Sequence, residues 1–376
     1  MDGQSILDTV MTLFLLLIFA YISQEFQTWK MVNEIEVYLI MYKTARDRAV
    51  AVTTNTFKKL LPKSSSSKRI ELEKIRNIEE RIRELVDFTV IDPVDLDPYG
   101  IVRKIKHIIR VTERTVENEI KGLLPSVSRN EIKNLIDLVD ATRVLNFIYK
   151  YLDHNYRIAR KFKSLWLLMQ IYALLPFITQ EVRALENAIE AFNKGLPVGD
   201  SIGPLVASKL IMKYDGLKNM DVPVKDTIVT RVTIEGREVY IVKARGPGGT
   251  TGRLDDAIEW LFENVGKKFS MIITVDAASK FEGEKSGTII QGFGVAIGGV
   301  GVERFNIEEI ASRYNVPLYA ILIKMSEIEA LSILTKELYE SADKAVSVIE
   351  RVIKERSNAN DKIILIGVGN TIGVAP

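Results

Sequence analysis

The feature that most constrains this chain is an uncharged apolar stretch near its start. No residue from Thr9 to Ile22 carries a charge, and with Ile6 and Leu7 the segment spans residues 6–22 (ILDTVMTLFLLLIFAYI). That length is at the lower end of what crosses the hydrocarbon core of a bilayer. A cleaved signal peptide opens with basic residues and ends at small ones. Here Met1-Asp2-Gly3-Gln4-Ser5 holds no base, and no A-x-A pattern follows. The segment is therefore expected to stay in place as a single transmembrane anchor, with membrane lipid as its partner. Bases near a span face the cytoplasm. None precedes this one, and Lys30, Lys43, Arg46, Arg48, Lys58, Lys59 and Lys63 follow it. The expectation is a single-pass protein of the cell membrane with its C-terminal bulk in the cytoplasm.

Beyond the anchor, periodicity divides the chain in two. Residues 24–60 read as a helix of mixed polarity, and Pro62 to Lys68, with four serines, as a loop. Residues 69–88 place Ile70, Leu72, Ile75, Ile78, Ile82 and Leu85 at helical spacing among charges, the pattern of an amphipathic helix. Asp92-Pro93 and Asp97-Pro98 force extended or turn geometry. The acids Asp92, Asp95 and Asp97 lack the glycine and the bidentate glutamate of a calcium loop. Helix resumes over 99–123 and 129–193. Within the second run, residues 165–178 (LWLLMQIYALLPFI) are nearly all apolar but too short to cross a bilayer, so they read as a buried helix or as one lying at the membrane surface beside the anchor.

From residue 195 glycine becomes frequent and short β-branched runs replace the helical pattern. A hairpin is expected over 227–234 and 238–244, then a helix over 254–265. A buried strand follows over 269–275, a strand over 288–297, a helix over 307–314 and a strand over 317–324. A long helix over 326–355 and a last strand over 362–367 complete the pattern. Alternating strands and helices imply an α/β domain with a mostly parallel sheet and helices on both faces. The expected division is an anchor at 1–25, an all-α region at 26–194 and an α/β domain at 195–376.

Inventory narrows the chemistry. The chain has no cysteine and only two histidines, His107 and His154, both in the helical half. Thiolate zinc sites, cysteine nucleophiles and a histidine-based triad in the α/β half are excluded, and nothing calls for a metal or another cofactor. A net charge of +2 without a basic stripe gives no reason to expect nucleic acid.

Four stretches at strand ends or helix starts remain. Asp200 precedes a helix that begins at Gly203-Pro204, and on its own reads equally as a helix cap. Asp276 follows the buried strand 269–275, at the end of a strand where open α/β sheets place their sites. The loop containing Gly246, Gly248, Gly249 and Gly252 leads into a helix, a start that can hold an anion, though it is not a Walker A loop. The last strand runs into Gly367-Val368-Gly369-Asn370, too near the end of the chain for the helix of a dinucleotide fingerprint.

Together these stretches resemble the superfamily that contains hydrogenase maturation endopeptidases, the spore germination protease and a related small spore protein. Gly199-Asp200-Ser201-Ile202-Gly203-Pro204 is similar to its acid loop, Ile272 to Ala277 to its buried strand ending in Asp-Ala, and Gly367 to Asn370 to its first strand. In the superfamily that first strand precedes the acid loop; here it ends the chain. The resemblance therefore implies a circular permutation, with residues 362–370 lying beside the Asp200 loop. It also implies that Asp200 and Asp276 are the catalytic pair of a peptide-bond hydrolase. Gly199, Glu282, Glu284, Lys285 and Asn370 would line the same cleft. The chain as a whole resembles an uncharacterised archaeal family with an N-terminal membrane helix.

Two close carboxylates share a proton near neutral pH, so the pair can activate water and protonate a leaving amine. A membrane-anchored endopeptidase acting on a protein or peptide substrate is the first expectation. The alternative is a non-catalytic membrane scaffold, a homo-oligomer built through the helical half, motivated by the size of that half and by the absence of the histidine that the hydrogenase branch uses. An anion or nucleotide sensor at Gly246 to Gly252 is a third.

Overall fold

The computed structural model describes residues 3–61, 68–91, 93 and 100–375. Residues 62–67 of the expected loop, the acids Asp92, Asp95 and Asp97 and the helix start at 99 lie outside them, and Lys68, expected in that loop, begins a helix. Two compact units are present: Met1–Arg48 with Val144–Val182, and Ala49–Arg143 with Arg183–Pro376.

The first unit is helical. It holds most of α1 (Gly3–Leu60), the second half of α4 (Arg129–Lys161) and the first half of α5 (Leu165–Lys194). The expected anchor and the helix after it are one unbroken helix. The expected run from 129 to 193 is broken at Phe162-Lys163-Ser164, where Lys163 has φ +50° and Ser164 Oγ accepts the Leu167 N–H at 3.3 Å. The three helices bury Ile35, Leu39 and Tyr42 against Leu145, Leu152, Ala159, Ile171 and Leu175. By length and composition two helices among the described residues are able to cross a bilayer: α1, whose apolar stretch is exposed, and α5, whose apolar stretch is partly buried.

The second unit combines helices with a seven-stranded sheet. Its helical part holds the end of α1, α2 (Lys68–Asp87), α3 (Ile101–Leu123), the start of α4 and the end of α5. Ser128 and Glu131 cap α4 reciprocally, as a Ser-x-x-Glu sequence predicts. After α6 (Ile202–Lys213) come β1 (Met220–Val224), β2 (Thr227–Ile234), β3 (Arg237–Ala244), α7 (Leu254–Asn264), β4 (Met271–Ser279), β5 (Ile289–Phe293), α8 (Val302–Arg313), β6 (Leu318–Met325), α9 (Glu327–Leu331), α10 (Lys336–Arg356) and β7 (Lys362–Gly367).

The strand order is β1-β2-β3-β7-β4-β6-β5. The four central strands pair in parallel, while β1-β2, β2-β3 and β5-β6 are antiparallel, so the sheet is mixed rather than mostly parallel. Helices cover both faces: α6 and α10 pack on one, α7 and α8 on the other. Strand β1 was not foreseen; its MDVPV sequence is partly exposed and carries no alternation. The long C-terminal helix is divided, because Ile333 leaves the helical path to bridge Val198. The final strand β7 lies at the centre of the sheet between β3 and β4, which carries the chain's last residues to the middle of the fold.

Candidate functional site

The centre of the site is the crossing of α6 over the middle of β4 and the end of β7. A Cβ on Gly203 would lie 2.1 Å from the Val368 carbonyl oxygen and 2.4 Å from that of Val275. Only glycine allows the first turn of α6 to press onto both strands, which explains why an acid three residues earlier arrives beside them. Asp200 sits in the 3-10 turn Gly199–Ser201 that leads into this helix. Beneath it, Gly369 has φ +129°, and a Cβ there would meet the Asp200 carbonyl oxygen at 2.0 Å. The next residue, Asn370, donates its backbone N–H to Asp200 Oδ2 at 2.8 Å. Residues 362–370 therefore do lie beside the Asp200 loop.

Asp276 is 7 % exposed and accepts the Ala277 N–H at 2.7 Å. Asp200 and Asp276 line one cavity of about 370 Å³. Burial pushes both carboxyls up, and repulsion from Asp200 adds to the rise at Asp276, which reaches about 8. The two carboxyls are thus close enough to interact, and near neutral pH they retain a proton that a solvated pair would lose.

A third acid, not anticipated, lies behind them, and neither it nor Asn370, expected to line the cleft, is among the residues lining the cavity. Asp137 of α4 accepts the Asn370 side-chain N–H at 2.7 Å, and burial first, then the neighbouring acids, pushes it up to about 7. Asn370 thus connects Asp137 to Asp200, its own Oδ1 being held by the Ile372 N–H at 2.8 Å. The signal in the sequence was a polar stripe, Asn130, Asn134 and Asp137, at helical spacing. By itself such a stripe reads as a solvated face.

Helix α3 supplies one wall of the cavity through Lys106, Ile109, Arg110 and Glu113, facing the glycine-rich turn at 298–301. Lys106 pairs with Asp255 at 2.5 Å and with Asp256 at 2.9 Å, and Arg110 pairs with Asp256. Glu303 also lines the cavity; burial and repulsion from Asp255 and Glu113 push it up to about 8.

Other expected site residues stand elsewhere. Glu282, Glu284 and Lys285 are exposed and are not among the residues lining the cavity; Glu284 pairs with Lys324 at 3.2 Å. Their place in the sequence just after Asp276 misled, because β4 continues to Ser279 and carries the loop beyond the cavity. Gly199 packs on Glu329, and its N–H donates to the Ser332 carbonyl at 3.0 Å. Of the four candidate glycines before α7, only Gly252 lines the cavity. Gly246 lies against Val374, Gly248 against Asn130, and Gly249 against Asp137, with its N–H donated to Asn134 Oδ1 at 2.9 Å. The Arg253 N–H donates to Thr227 Oγ1 at 2.6 Å, and the first turn of α7 carries Asp255 and Asp256. Engaged N–H groups and two acids make this helix start a poor seat for an anion.

Fold and site thus define a helical chain with a long apolar N-terminal helix, joined to an α/β domain in which Asp276 of β4 and Asp200 of the turn before α6 line one cavity. It belongs to a family of unknown function, DUF1512: the N-terminal domain of that family matches residues 9–195 and the C-terminal domain matches residues 198–375. The junction between the two falls just ahead of Asp200, whereas the second compact unit takes residues from both domains. Comparison with curated proteins gave no match, and neither did comparison with solved structures.

Proposed function

We propose that this chain is a membrane-anchored hydrolase of peptide bonds in which Asp200 and Asp276 act as a pair. The observation that carries the reading is their shared cavity, with Asp276 pushed up to about 8 partly by the charge of Asp200. A pair holding one proton supplies both functions that amide hydrolysis needs. Its ionised oxygen draws a proton from water, and its acid hydrogen passes to the departing nitrogen. The peptide as substrate follows from the resemblance to the endopeptidase superfamily. The contact of Asn370 with Asp200 supports that resemblance, because it is the adjacency a permuted chain requires. The apolar start of α1 serves as a single-pass anchor in the cell membrane, and the bases after it orient the second unit to the cytoplasm.

The test uses the full chain in liposomes with an unbiased peptide mixture, read by mass spectrometry. New termini are expected from the parent protein. Asp200→Asn and Asp276→Asn should each lower the rate about 10³-fold, the scale of losing a positioned acid or base. Cleavage unchanged in both variants overturns the assignment. Absence of cleavage in every form, together with a stable oligomer by light scattering in detergent, favours the scaffold reading instead.

A further inference from the structure

The first unit ends in a surface that neither the cavity nor the anchor accounts for. Its helices run in step. Arg46 donates to Asn146 at 3.4 Å, and ten residues back along α1 Glu36 accepts from Tyr156, ten residues on along α4. Carried six residues further, this antiparallel register sets Phe162 beside Lys30. Helix α5 returns parallel to α1: Tyr172 bonds Glu34, and Tyr42 bonds the Leu175 carbonyl at 3.2 Å and Thr179 at 2.8 Å. That register sets Trp166 at the level of α1 residues 28–33.

At this level four aromatic residues are exposed: Phe26 at 63 %, Trp29 at 61 %, Phe162 at 69 % and Trp166 at 69 %. Phe26 and Trp29 stack at 6.0 Å. Basic side chains lie close to them, although Glu25 precedes Phe26 and Lys30 also pairs with Glu34 at 3.8 Å. Lys161 and Lys163 flank Phe162, Arg157 and Arg160 lie one turn back on α4, and Lys30 follows Trp29. From His154 to Gln180 the sequence holds four bases and no acid.

The position along α1 identifies what meets this surface. A hydrocarbon core about 30 Å thick, entered at Leu7, takes about 20 residues of helix at 1.5 Å each and ends near Phe26. Aromatic rings gather at that depth, and bases just beyond it meet anionic headgroups. We propose that the turn between α4 and α5, with Phe162 and Trp166 as its apolar contacts and Lys161 and Lys163 as its bases, is a second membrane contact seated in the headgroup layer of an anionic bilayer. The inference rests on α1 being the anchor. It fixes the rotation of the first unit on the membrane, which a lone spanning helix leaves free.

The absence of native cysteine allows single labels. Leu13→Cys, Phe162→Cys and His154→Cys, all at exposed positions, are each labelled with a nitroxide in the full chain. The chains are reconstituted in liposomes of phosphatidylcholine with phosphatidylglycerol. Collision with oxygen against a water-soluble nickel chelate reads depth. Position 13 is expected inside the hydrocarbon core, 162 at headgroup depth and 154 in water. Lys161→Glu with Lys163→Glu, or phosphatidylcholine alone, should raise the chelate collision rate at 162 severalfold and leave 13 unchanged. If 162 matches 154 while 13 remains buried, the second contact is wrong and the anchor stands. If 13 is itself in water, the anchor reading fails and the second contact falls with it.

Discussion

Asn370 joins two acids through two different groups, a side-chain amide to Asp137 and a backbone N–H to Asp200. That arrangement makes Asp137 a positioning residue: removing its carboxylate frees the amide and loosens the loop that holds Asp200. Asp137→Ala is expected to lower kcat by about 10- to 100-fold, the cost of small misplacement at a reacting centre. Asp137→Asn should retain most activity, because its carbonyl oxygen still accepts from Asn370. Steady-state kinetics of the two variants on one cleaved peptide checks this. The pair also sets the pH profile. Since Asp276 is held up to about 8 by burial and by Asp200, activity should fall as pH rises through 8 and the shared proton leaves. In Asp276→Asn the residual activity should lose that limb. Asp200 and Asp276 were legible because each follows a local pattern, one before Gly203 and one on a buried strand. Asp137 was not, since its partner is 233 residues away.

Among the elements, α3 and α4 are braced to the sheet edge by buried charges. Glu117 of α3 pairs with Lys121 at 2.6 Å, Lys133 of α4 at 3.1 Å and Lys225 of the β1-β2 turn at 2.9 Å, which together hold it down at about 2 despite burial. Asp226 in the same turn takes Lys133 at 2.7 Å and Arg129 at 2.5 Å. Glu117→Gln leaves the buried Lys133 without its one buried partner and should cost about 3 kcal/mol. Chemical denaturation read on the second unit measures it. Because the carboxyl is depressed, its stabilisation is complete above its unfolded value and should be lost as pH falls toward 2. The hairpin β2-β3 and the strand β7 were readable from β-branched runs and from Glu235-Gly236, both at positive φ. The division of the last long helix was not, since it depends on a bridge to Val198.

For the molecule as a whole, burial raises the acids in and around the site: Asp276 and Glu303 to about 8, Asp137 to about 7, and Asp200 and Glu113 in the same direction. Each binds its proton more tightly folded than unfolded. Stability should therefore fall as pH rises from about 4 to 8, by about 1.4 kcal/mol per pH unit for each acid protonated only in the folded state. Thermal unfolding of the full chain at a series of pH values should show this decline, and Asp276→Asn should flatten it. A profile that rises across the same window contradicts the raised acids. The cavity also joins the two halves of the sequence: α3 from the helical half contributes Lys106, Arg110 and Glu113 to a cavity whose paired acids come from the α/β half, and Asp137 of α4 reaches it through Asn370.

The sequence by itself determined the apolar N-terminal helix, the helical and α/β halves and the places of Asp200 and Asp276. Those features rest on composition and on periods of two or 3.6 residues, which are local. The tertiary structure alone decided that the sheet is mixed, that its last strand is central, that Asp137 reaches Asn370, and that Glu282 to Lys285 miss the cavity. Each of these depends on which distant segments share a neighbour. Strand order and the packing of a helix over strands are set by the best burial of the whole chain, and no short window of sequence contains it.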